Sequence, residues 1–337
     1  MRARIKLHDT DWTGAEHAYG DGADTLKWLL DACGEDPDRA ERAVGVLHNC
    51  LVHQGSVYAG SARAYPVLVD LLLDPTAPGR ATLADLLLGI TIGIAETEAV
   101  HHEIRAAHAR ATPRLLPLLA DPTREVRHRI AYVTGLRTGH EEPAVRALSE
   151  RALSEPDPLI AAAMTGGVAR HDIAGRAAWL SDALAPRHTP AVRAAAAWGI
   201  AQAGLPWTTE VTTAVVEAWE HGDVLNGDVI EGEQWRWSDN PLAETVIAMA
   251  DPVRAAEICL RLIQSEDEDT AERGAVAAVA LLEEHPHAYP AFTPVIAATR
   301  AHRDAHIRSY ADDLEALTPA DEGDHTVHQV LRSGSSC

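Results

Sequence analysis

Apolar residues recur every three or four positions along most of this 337-residue chain, which is the spacing of one face of an α-helix. The clearest example is the segment 121–136, DPTREVRHRIAYVTGL. Asp121 and Pro122 are typical of an N-cap and a first helical residue. The apolar positions that follow share one helical face: Val126, Ile130, Val133 and Leu136. The preceding segment, 113–120, is short and apolar, so the pattern predicts two short helices that bury their faces by stacking on other pairs.

Dipeptides like Asp121-Pro122, in which proline follows Asp or Thr, recur along the chain at intervals typical of stacked helix pairs. They begin at Asp36, Asp74, Asp121, Asp157, Thr189 and Asp251. The steps between successive starts are 38, 47, 36, 32 and 62 residues. Most steps lie near the roughly 40-residue period of stacked helix pairs. The longest step predicts an insertion between residues 190 and 251.

The pattern therefore predicts an all-α protein without a sheet, a right-handed solenoid of about seven to eight helix pairs. The predicted pairs are 23–33 with 38–52, 62–73 with 79–95, 113–120 with 122–137, 142–153 with 158–170, 173–185 with 190–204, 208–220 with 241–250, 252–264 with 269–285, and 289–302 with 304–317. An extra helix is predicted at 97–110. Residues 1–317 are expected to form a single array with an insertion loop at 222–241. Residues 318–337 are polar, and we expect them to form a flexible tail.

Two stretches carry a resemblance to a known family. The segment 121–136 resembles the second half of a HEAT repeat, in which an Asp-Pro turn leads into a helix with Val-Arg and then Ala; here these are Asp121, Pro122, Val126, Arg127 and Ala131. Residues 190–204 repeat the pattern with Val192, Arg193 and Ala197. Roughly the first 75 residues resemble a widespread group of bacterial HEAT-repeat proteins, through Trp12, HAYG at 17–20, HQGSVY at 53–58 and AYPVLVDLL at 64–72. The resemblance implies an armadillo-like α-solenoid with small residues at helix contacts, and no particular reaction.

The net charge of the chain indicates which kinds of partner its surface can attract. The net charge is −21, and residues 201–337 hold 25 Asp and Glu against 8 Lys and Arg, a net −17. Such a field repels phosphate backbones, which argues against nucleic acid as a partner. It favours a basic protein partner, although a simply solvated acidic surface is the plain alternative.

The cysteines and the N-terminus predict a cellular location. Cys33, Cys50, Cys259 and Cys337 are scattered and form no Cys-x-x-Cys motif, so we expect reduced thiols in a cytoplasm. The first residues lack the apolar stretch of a signal peptide. No run approaches the roughly 20 apolar residues of a membrane span, so we expect no membrane association.

The predicted insertion is the first candidate site. Trp235 and Trp237 are two residues apart, so both point the same way in an extended segment. The carboxylates around them are Asp228, Glu231, Glu233 and Asp239. Exposed tryptophans flanked by charge are typical of a partner-binding hot spot. Alternatively, both rings pack on the solenoid and anchor the loop.

The second candidate site is the solenoid groove. Tyr132 and Trp198 are expected on either side of Gly166 and Gly167, as the walls of a notch for a side chain or a small ligand. His128 precedes Tyr132 by one turn. A polar corner of the same groove is predicted at His53, Gln54 and Tyr58, after a helix that Gly55 ends in a left-handed turn. Alternatively, the rings pack between repeats and the polar groups bond to one another.

Metal chemistry and catalysis are weakly indicated. The pairs Glu98 with His101 and Glu125 with His128 have a spacing found in di-iron bundles. HEAT-repeat di-iron hydroxylases of the deoxyhypusine hydroxylase type use four His-Glu dyads. This chain has two such dyads, His102-Glu103 and His140-Glu141. We therefore expect neither a metal nor another cofactor. Cys50 and His53 lie one turn apart without a third partner, so we assign no catalytic residue.

These observations favour a non-enzymatic protein-binding scaffold, or an immunity- or inhibitor-type protein. Its surface would combine the acidic C-terminal half, the insertion and the concave face. The alternative is an enzyme or a small-molecule-binding protein with an aromatic or histidine-lined pocket in the groove.

Overall fold

The computed structural model describes residues 7, 10–20, 22–34, 36–137, 141–171, 175–220 and 246–318. The α-helices whose bounds are described are α1 Gly22–Ala32, α2 Pro37–Leu51, α3 Ala59–Leu72, α4 Arg80–Ile92, α5 Glu98–Leu115, α6 Arg124–Gly135, α7 Glu141–Ala152, α8 Pro158–Ala169, α9 Arg176–Ala183, α10 Pro190–Gln202, α11 Thr209–Glu220, α12 Pro252–Ile263, α13 Glu268–Glu284, α14 Tyr289–Ala301 and α15 Ala305–Ala316. Short 3₁₀ segments lie at Leu116–Ala120 and Pro286–Ala288. The fold is all-α, as predicted.

Within each compact unit the helices stack in two layers, which is the arrangement of a helical-repeat solenoid. The contacts divide the chain into two compact units, and the boundary falls within α11, between Ala214 and Val215. In the first unit, α2, α4, α6, α8 and α10 pack on one another in succession, and α1, α3 and α5 form a second row. In the second unit, α12 packs on α13 and α14, and α13 packs on α15. That the chain forms one continuous array stays a prediction.

Four of the six predicted helix starts are confirmed as caps. Asp36, Asp157, Thr189 and Asp251 accept hydrogen bonds from backbone N–H groups in the first turn, and proline follows each of them. In α2, for example, Asp36 accepts from the N–H groups of Asp38 and Arg39 at 3.1 and 3.2 Å. Proline belongs at this position because its missing N–H has no partner inside the helix.

The cap predicted at Asp121 is wrong, because this carboxylate binds ahead of the first helical residue and Thr123 takes the N-cap position of α6. The Arg80 guanidinium donates to both oxygens of Asp121 at 2.5 and 3.1 Å. Asp121 also accepts from the Thr123 N–H at 2.9 Å, which forms a turn, and α6 begins only at Arg124. Asp74 likewise binds Thr76 in a turn, and α4 begins at Arg80.

The helix boundary predicted at Pro113 is also wrong. Helix α5 continues through Pro113 to Leu115 and tightens into the 3₁₀ segment, so the predicted helices 97–110 and 113–120 are one element. Ala111 and Leu115 lie on the same buried face as Ala107 and Ile104. Packing of this face outweighs the hydrogen bond that proline removes.

A small sheet contradicts the expectation that the protein has none. Strands β1 (Val52–His53) and β2 (Ser56–Val57) pair antiparallel, and β3 (Ile94–Ala95) pairs parallel to β2. Gln54 and Gly55 connect β1 to β2 with φ of 50° and 80°. Positive φ at both central residues is what a type I′ hairpin turn requires. Gly55 therefore closes a hairpin, whereas the predicted helix end lies earlier, at Leu51.

Small residues allow α6, α8 and α10 to approach closely. A Cβ atom on Gly135 of α6 would lie 2.7 Å from the Cα of Gly167 in α8. A Cβ atom on Gly199 of α10 would lie 2.4 Å from the Cβ of Ala169. Two further alanines that the repeat pattern places at helix contacts, Ala131 and Ala197, are fully buried.

The buried carboxylate of Glu155 connects α6, α7 and the start of α8. The Glu155 side chain is 0% exposed and accepts from Arg127 at 3.0 Å and from Arg151 at 2.9 Å. The backbone N–H of Asp157 donates to it at 3.3 Å. Burial of a charge is costly unless it is paired and hydrogen-bonded, and Glu155 meets both conditions.

We expect His108 to make the protein sensitive to acid. Its Nε2–H donates to the carbonyl of Val133 at 2.8 Å, and burial lowers the pKa of His108 from 6.5 to about 4. The imidazole is therefore neutral in the folded state, whereas the unfolded chain takes up a proton as the pH falls through 6.5. The stabilisation is complete above that pH, and about 2 kcal/mol of it is lost between pH 7.5 and pH 5.

Chemical denaturation of the parent and of His108→Gln at these two pH values tests this prediction. The Gln amide keeps a donor for Val133 but does not titrate. We expect the variant to lose less stability than the parent on acidification. Equal losses in the two proteins would contradict the assignment.

Candidate functional site

An open cleft lies at the C-terminal ends of three successive helices of the first unit, α6, α8 and α10. Its volume is about 390 Å³, within the range of ligand pockets. The described residues that line it are Leu136, Arg137, Ala169, Arg170, Arg176, Trp198, Gln202 and Ala203. We refer to it below as the Trp198 cleft.

Backbone hydrogen bonds position the arginines of the cleft. Arg137 follows the end of α6 and donates from Nε to the carbonyl of Arg170 at 3.0 Å. Arg176, at the start of α9, donates from Nη1 to the carbonyl of His171 at 2.9 Å. Basic side chains at helix C-termini bind the terminal carbonyls and complement the helix dipole. Three guanidinium groups therefore meet around one cleft.

Trp198 supplies the aromatic wall. The guanidinium carbon of Arg170 lies 5.2 Å from the centroid of the Trp198 ring, within the range of a cation–π contact. A Cβ atom on Gly166 would lie 3.8 Å from Nη1 of Arg170, so this guanidinium lies close to the side of α8 that Gly166 leaves open. Trp198 is 3% exposed, and its Nε1 finds no hydrogen-bond partner among the described residues.

The charge of the cleft differs from that of the chain. Its described lining holds three arginines and no carboxylate, in a protein with a net charge of −21. Clefts lined by one sign of charge concentrate ligands of the opposite sign. The arrangement is therefore suited chemically to an anion beside an apolar surface.

The predicted groove residues have different environments. Trp198 lines the cleft. Tyr132 and His128 pack against each other in α6 with ring centroids 5.3 Å apart, and they are 2% and 4% exposed. A binding role for these two stays a prediction.

The predicted polar corner lies at the small sheet. His53 Nδ1 lies 2.8 Å from the Tyr19 hydroxyl, so its partner is in the N-terminal segment. Gln54 is exposed in the hairpin turn. The backbone N–H of Tyr58 donates to Ser61 Oγ at the start of α3, at 3.0 Å. These bonds connect His53 to the N-terminal segment and Tyr58 to the start of α3, and they do not bring either residue to the Trp198 cleft.

The predicted insertion site cannot be placed. Its residues lie outside the described part of the chain: Asp228, Glu231, Glu233, Trp235, Trp237 and Asp239. The tail from residue 319 onward lies outside it as well.

The sequence analysis named Trp198 as a candidate but none of the arginines that line its cleft. A signal was present, because Arg137 and Arg170 stand just after the ends of two neighbouring second helices, α6 and α8. Arg176 gave no comparable signal, since it begins α9 and reaches the cleft only through the fold.

The second unit contains a smaller and more apolar pocket of about 230 Å³. It is lined by Ala250, Pro252, Ala255, Leu281, His285, His287, Ala288 and Phe292. The rings of His285 and His287 lie 5.8 Å apart. Its described lining bears no Asp, Glu, Lys or Arg side chain, so it offers less specific chemistry than the Trp198 cleft.

The residues weighed for metal binding and catalysis are dispersed. In the described part of the chain, no group of three or more His, Cys, Asp or Glu residues could hold a metal ion. Glu98 pairs with His102 at 3.1 Å on an exposed surface. Burial and the nearby Asp24 carboxylate raise the pKa of Cys50, which disfavours the thiolate needed for nucleophilic attack.

Comparisons with known proteins add little. No protein-family model matches the chain, and no curated protein matches it. Among solved structures, an engineered protein from a structural genomics consortium is 16% identical, with 88% of this chain and 98% of that chain covered and a TM-score of 0.28. A designed armadillo repeat protein in complex with the peptide (KR)4 is 14% identical, with 86% and 98% covered and a TM-score of 0.30.

Human deoxyhypusine hydroxylase, in complex with glycerol, is also 14% identical, with 94% of this chain and 98% of that chain covered and a TM-score of 0.25. TM-scores this low support no statement about the function of this chain. Within its described residues, none of the helices has the length and apolar character needed to cross a bilayer.

Proposed function

We propose that this protein is a non-enzymatic, HEAT-type scaffold that binds a basic protein partner through the acidic part of the chain after residue 200. An inhibitor or immunity protein is one form that such a scaffold takes. The stacked helix pairs support the proposal because each pair adds surface to an extended face. Among the described residues, Cys50 and Cys259 form no disulfide bond, which supports a reducing compartment such as a bacterial cytoplasm.

The observation that carries the proposal is the acidic excess on the second unit. Residues 246–318 hold 13 Asp and Glu against 6 Arg. Four consecutive carboxylates, Glu266 to Asp269, are exposed at the turn between α12 and α13. Asp267 caps α13 and Arg303 lies 3.6 Å from Glu268, so part of this charge has a structural role. The excess that remains attracts a cation, and salt screens this attraction over about 8 Å at physiological ionic strength.

Electrostatic steering raises association rates but gives little lasting affinity, so an apolar anchor is also needed. Trp235 and Trp237 are our candidates for that anchor. Replacing both by Ala should raise the dissociation rate about 30-fold, the equivalent of about 2 kcal/mol for true hot spots. Replacing Asp228, Glu231 and Glu233 by neutral amides should slow association and flatten its salt dependence.

The measurement begins with capture of the partner by the parent protein, followed by surface plasmon resonance at low and high ionic strength. The matched control replaces three exposed carboxylates of the first unit, Glu98, Glu142 and Glu150, by Gln. It should leave both rates unchanged. Unchanged dissociation from the double-tryptophan variant, together with salt-independent association, would refute the proposal.

A second candidate function is favoured by one observation, the Trp198 cleft. In this alternative the protein binds a small ligand in a pocket of the groove. The described lining has one aromatic side chain, Trp198, and three arginines, whereas the alternative named an aromatic or histidine-lined pocket.

A further inference from the structure

We propose that the Trp198 cleft binds a carboxylate carried on an apolar or aromatic body. This inference deepens the second candidate function and rests on it, but it does not depend on a basic partner. It combines the geometry of the arginines, the buried indole N–H and the shape of the cleft.

The first argument is the fit between guanidinium and carboxylate. Arginine presents a planar fork of N–H donors that matches the two oxygens of a carboxylate, and such charge-assisted bonds are stronger than neutral ones. Arg137, Arg170 and Arg176 line the cleft from the ends of three different helices. Their backbone bonds to the carbonyls of Arg170 and His171 pre-orient two of the three guanidinium groups.

Capping of helix ends is the structural role that competes with this interpretation. It accounts for the bonds of Arg137 and Arg176 to backbone carbonyls. It does not account for a cleft of about 390 Å³ between the arginines, or for an indole ring as one of its walls. Capping of a helix end by arginine does not require a space of this size, whereas binding of a ligand does.

The second argument is independent and concerns Trp198 itself. A buried polar group in a native structure normally has a hydrogen-bond partner. Trp198 is 3% exposed, yet its Nε1–H meets no acceptor among the described residues. A carboxylate oxygen in the cleft would supply the missing acceptor.

The third argument concerns the rest of the ligand. Leu136, Ala169 and Ala203 line the cleft together with the Trp198 ring. These groups offer contact to an apolar body, and Gln202 is the one neutral hydrogen-bonding side chain besides the indole in the described lining. The cleft therefore suits an organic acid, or a peptide that ends in an apolar residue with a free carboxylate.

The test uses the full-length protein and ¹⁹F NMR with 4-fluorobenzoate as the probe. We expect saturable line broadening that the neutral isostere 4-fluorobenzamide does not show. Arg170→Gln and Arg137→Gln should each weaken 4-fluorobenzoate binding tenfold or more. Trp198→Phe, which removes the indole N–H but keeps a ring, should weaken it several-fold. Arg146→Gln, an exposed arginine of α7, is the matched control and should bind as the parent does.

Competition identifies the source of the carboxylate. Displacement of the probe by a peptide ending in leucine, but not by its C-terminal amide, indicates a peptide end; displacement only by hexanoate indicates a free organic acid. Both outcomes support the proposal. Equal binding of the benzamide and the benzoate would overturn it and leave a neutral pocket ligand possible. Tighter binding of phenyl phosphate than of benzoate would also overturn it.

Folding of each variant is checked by circular dichroism and thermal melting. Arg137 is exposed, so its replacement should not disturb the fold even if changes at Arg170 or Trp198 do. If Arg137→Gln and Arg170→Gln both fold, undiminished binding by both would overturn the proposal. If only one of them folds, undiminished binding by that variant would overturn it.

Discussion

Replacing Glu155 by Ala should lower the free energy of unfolding by about 3 kcal/mol, the low end of the range for breaking a buried ion pair. The Glu155 side chain is fully buried between Arg127 and Arg151, and its loss leaves both guanidinium groups without this partner. We place the effect at the low end because the Arg151 side chain is 33% exposed and regains water.

Urea denaturation of the parent and two further variants tests this value. Glu150→Ala removes an exposed carboxylate near the end of α7 and should change stability by no more than about 0.5 kcal/mol. Glu155→Gln keeps the shape and one acceptor, so it should fall between the other two. If Glu155→Ala were as stable as Glu150→Ala, the Glu155 carboxylate would not connect α6 and α7 as described.

Replacing Gly135 by Ala should cost about 2–3 kcal/mol through overpacking, although alanine is ordinarily the better helix residue. The new Cβ would lie 2.7 Å from the Cα of Gly167. Because the obstructing atom belongs to backbone, no rotamer change relieves the clash, and α6 and α8 must move apart. Thermal and urea unfolding measure the loss.

Gly166 provides a control of opposite sign. A Cβ atom there meets only the end of the Arg170 side chain, at 3.8 Å. Gly166→Ala should therefore stabilise the protein by about 0.5–1 kcal/mol, the gain expected when alanine replaces glycine inside a helix. Destabilisation of both variants to the same degree would show that the close approach of α6 and α8 is not specific to Gly135.

Local sequence signals predicted the helices well where the deciding contacts are also local. Asp36 caps its helix because the acceptor and the first-turn donors are three residues or fewer apart. Asp121 has the same dipeptide, but α6 begins only at Arg124, and Arg80 binds the Asp121 carboxylate from 41 residues away, a contact that no local pattern shows. The two-residue strands escaped prediction because they are too short for an alternating pattern to appear.

The same distinction applies to the candidate site. Trp198 could be recognised because the repeat pattern gives its place in the helix. Its partners could not, because Arg137 and Arg176 come from different helices and converge through packing. That the indole N–H meets no acceptor among the described residues is a property of the folded structure alone, and this observation makes the cleft a testable site.

Ion pairs that cross from one helix pair to the next have a consequence for how the first unit opens. Arg80 binds Asp121, Arg124 binds Asp157, and Arg127 binds Glu155. Unfolding of any one helix pair therefore leaves a charged side chain of the neighbouring helix pair without its partner. It also exposes an apolar face. Partial unfolding from within the stack therefore costs free energy both through the lost ion pair and through the exposed apolar face. We expect the backbone amides of α6 and α8 to exchange with solvent together, in one cooperative opening, rather than helix by helix.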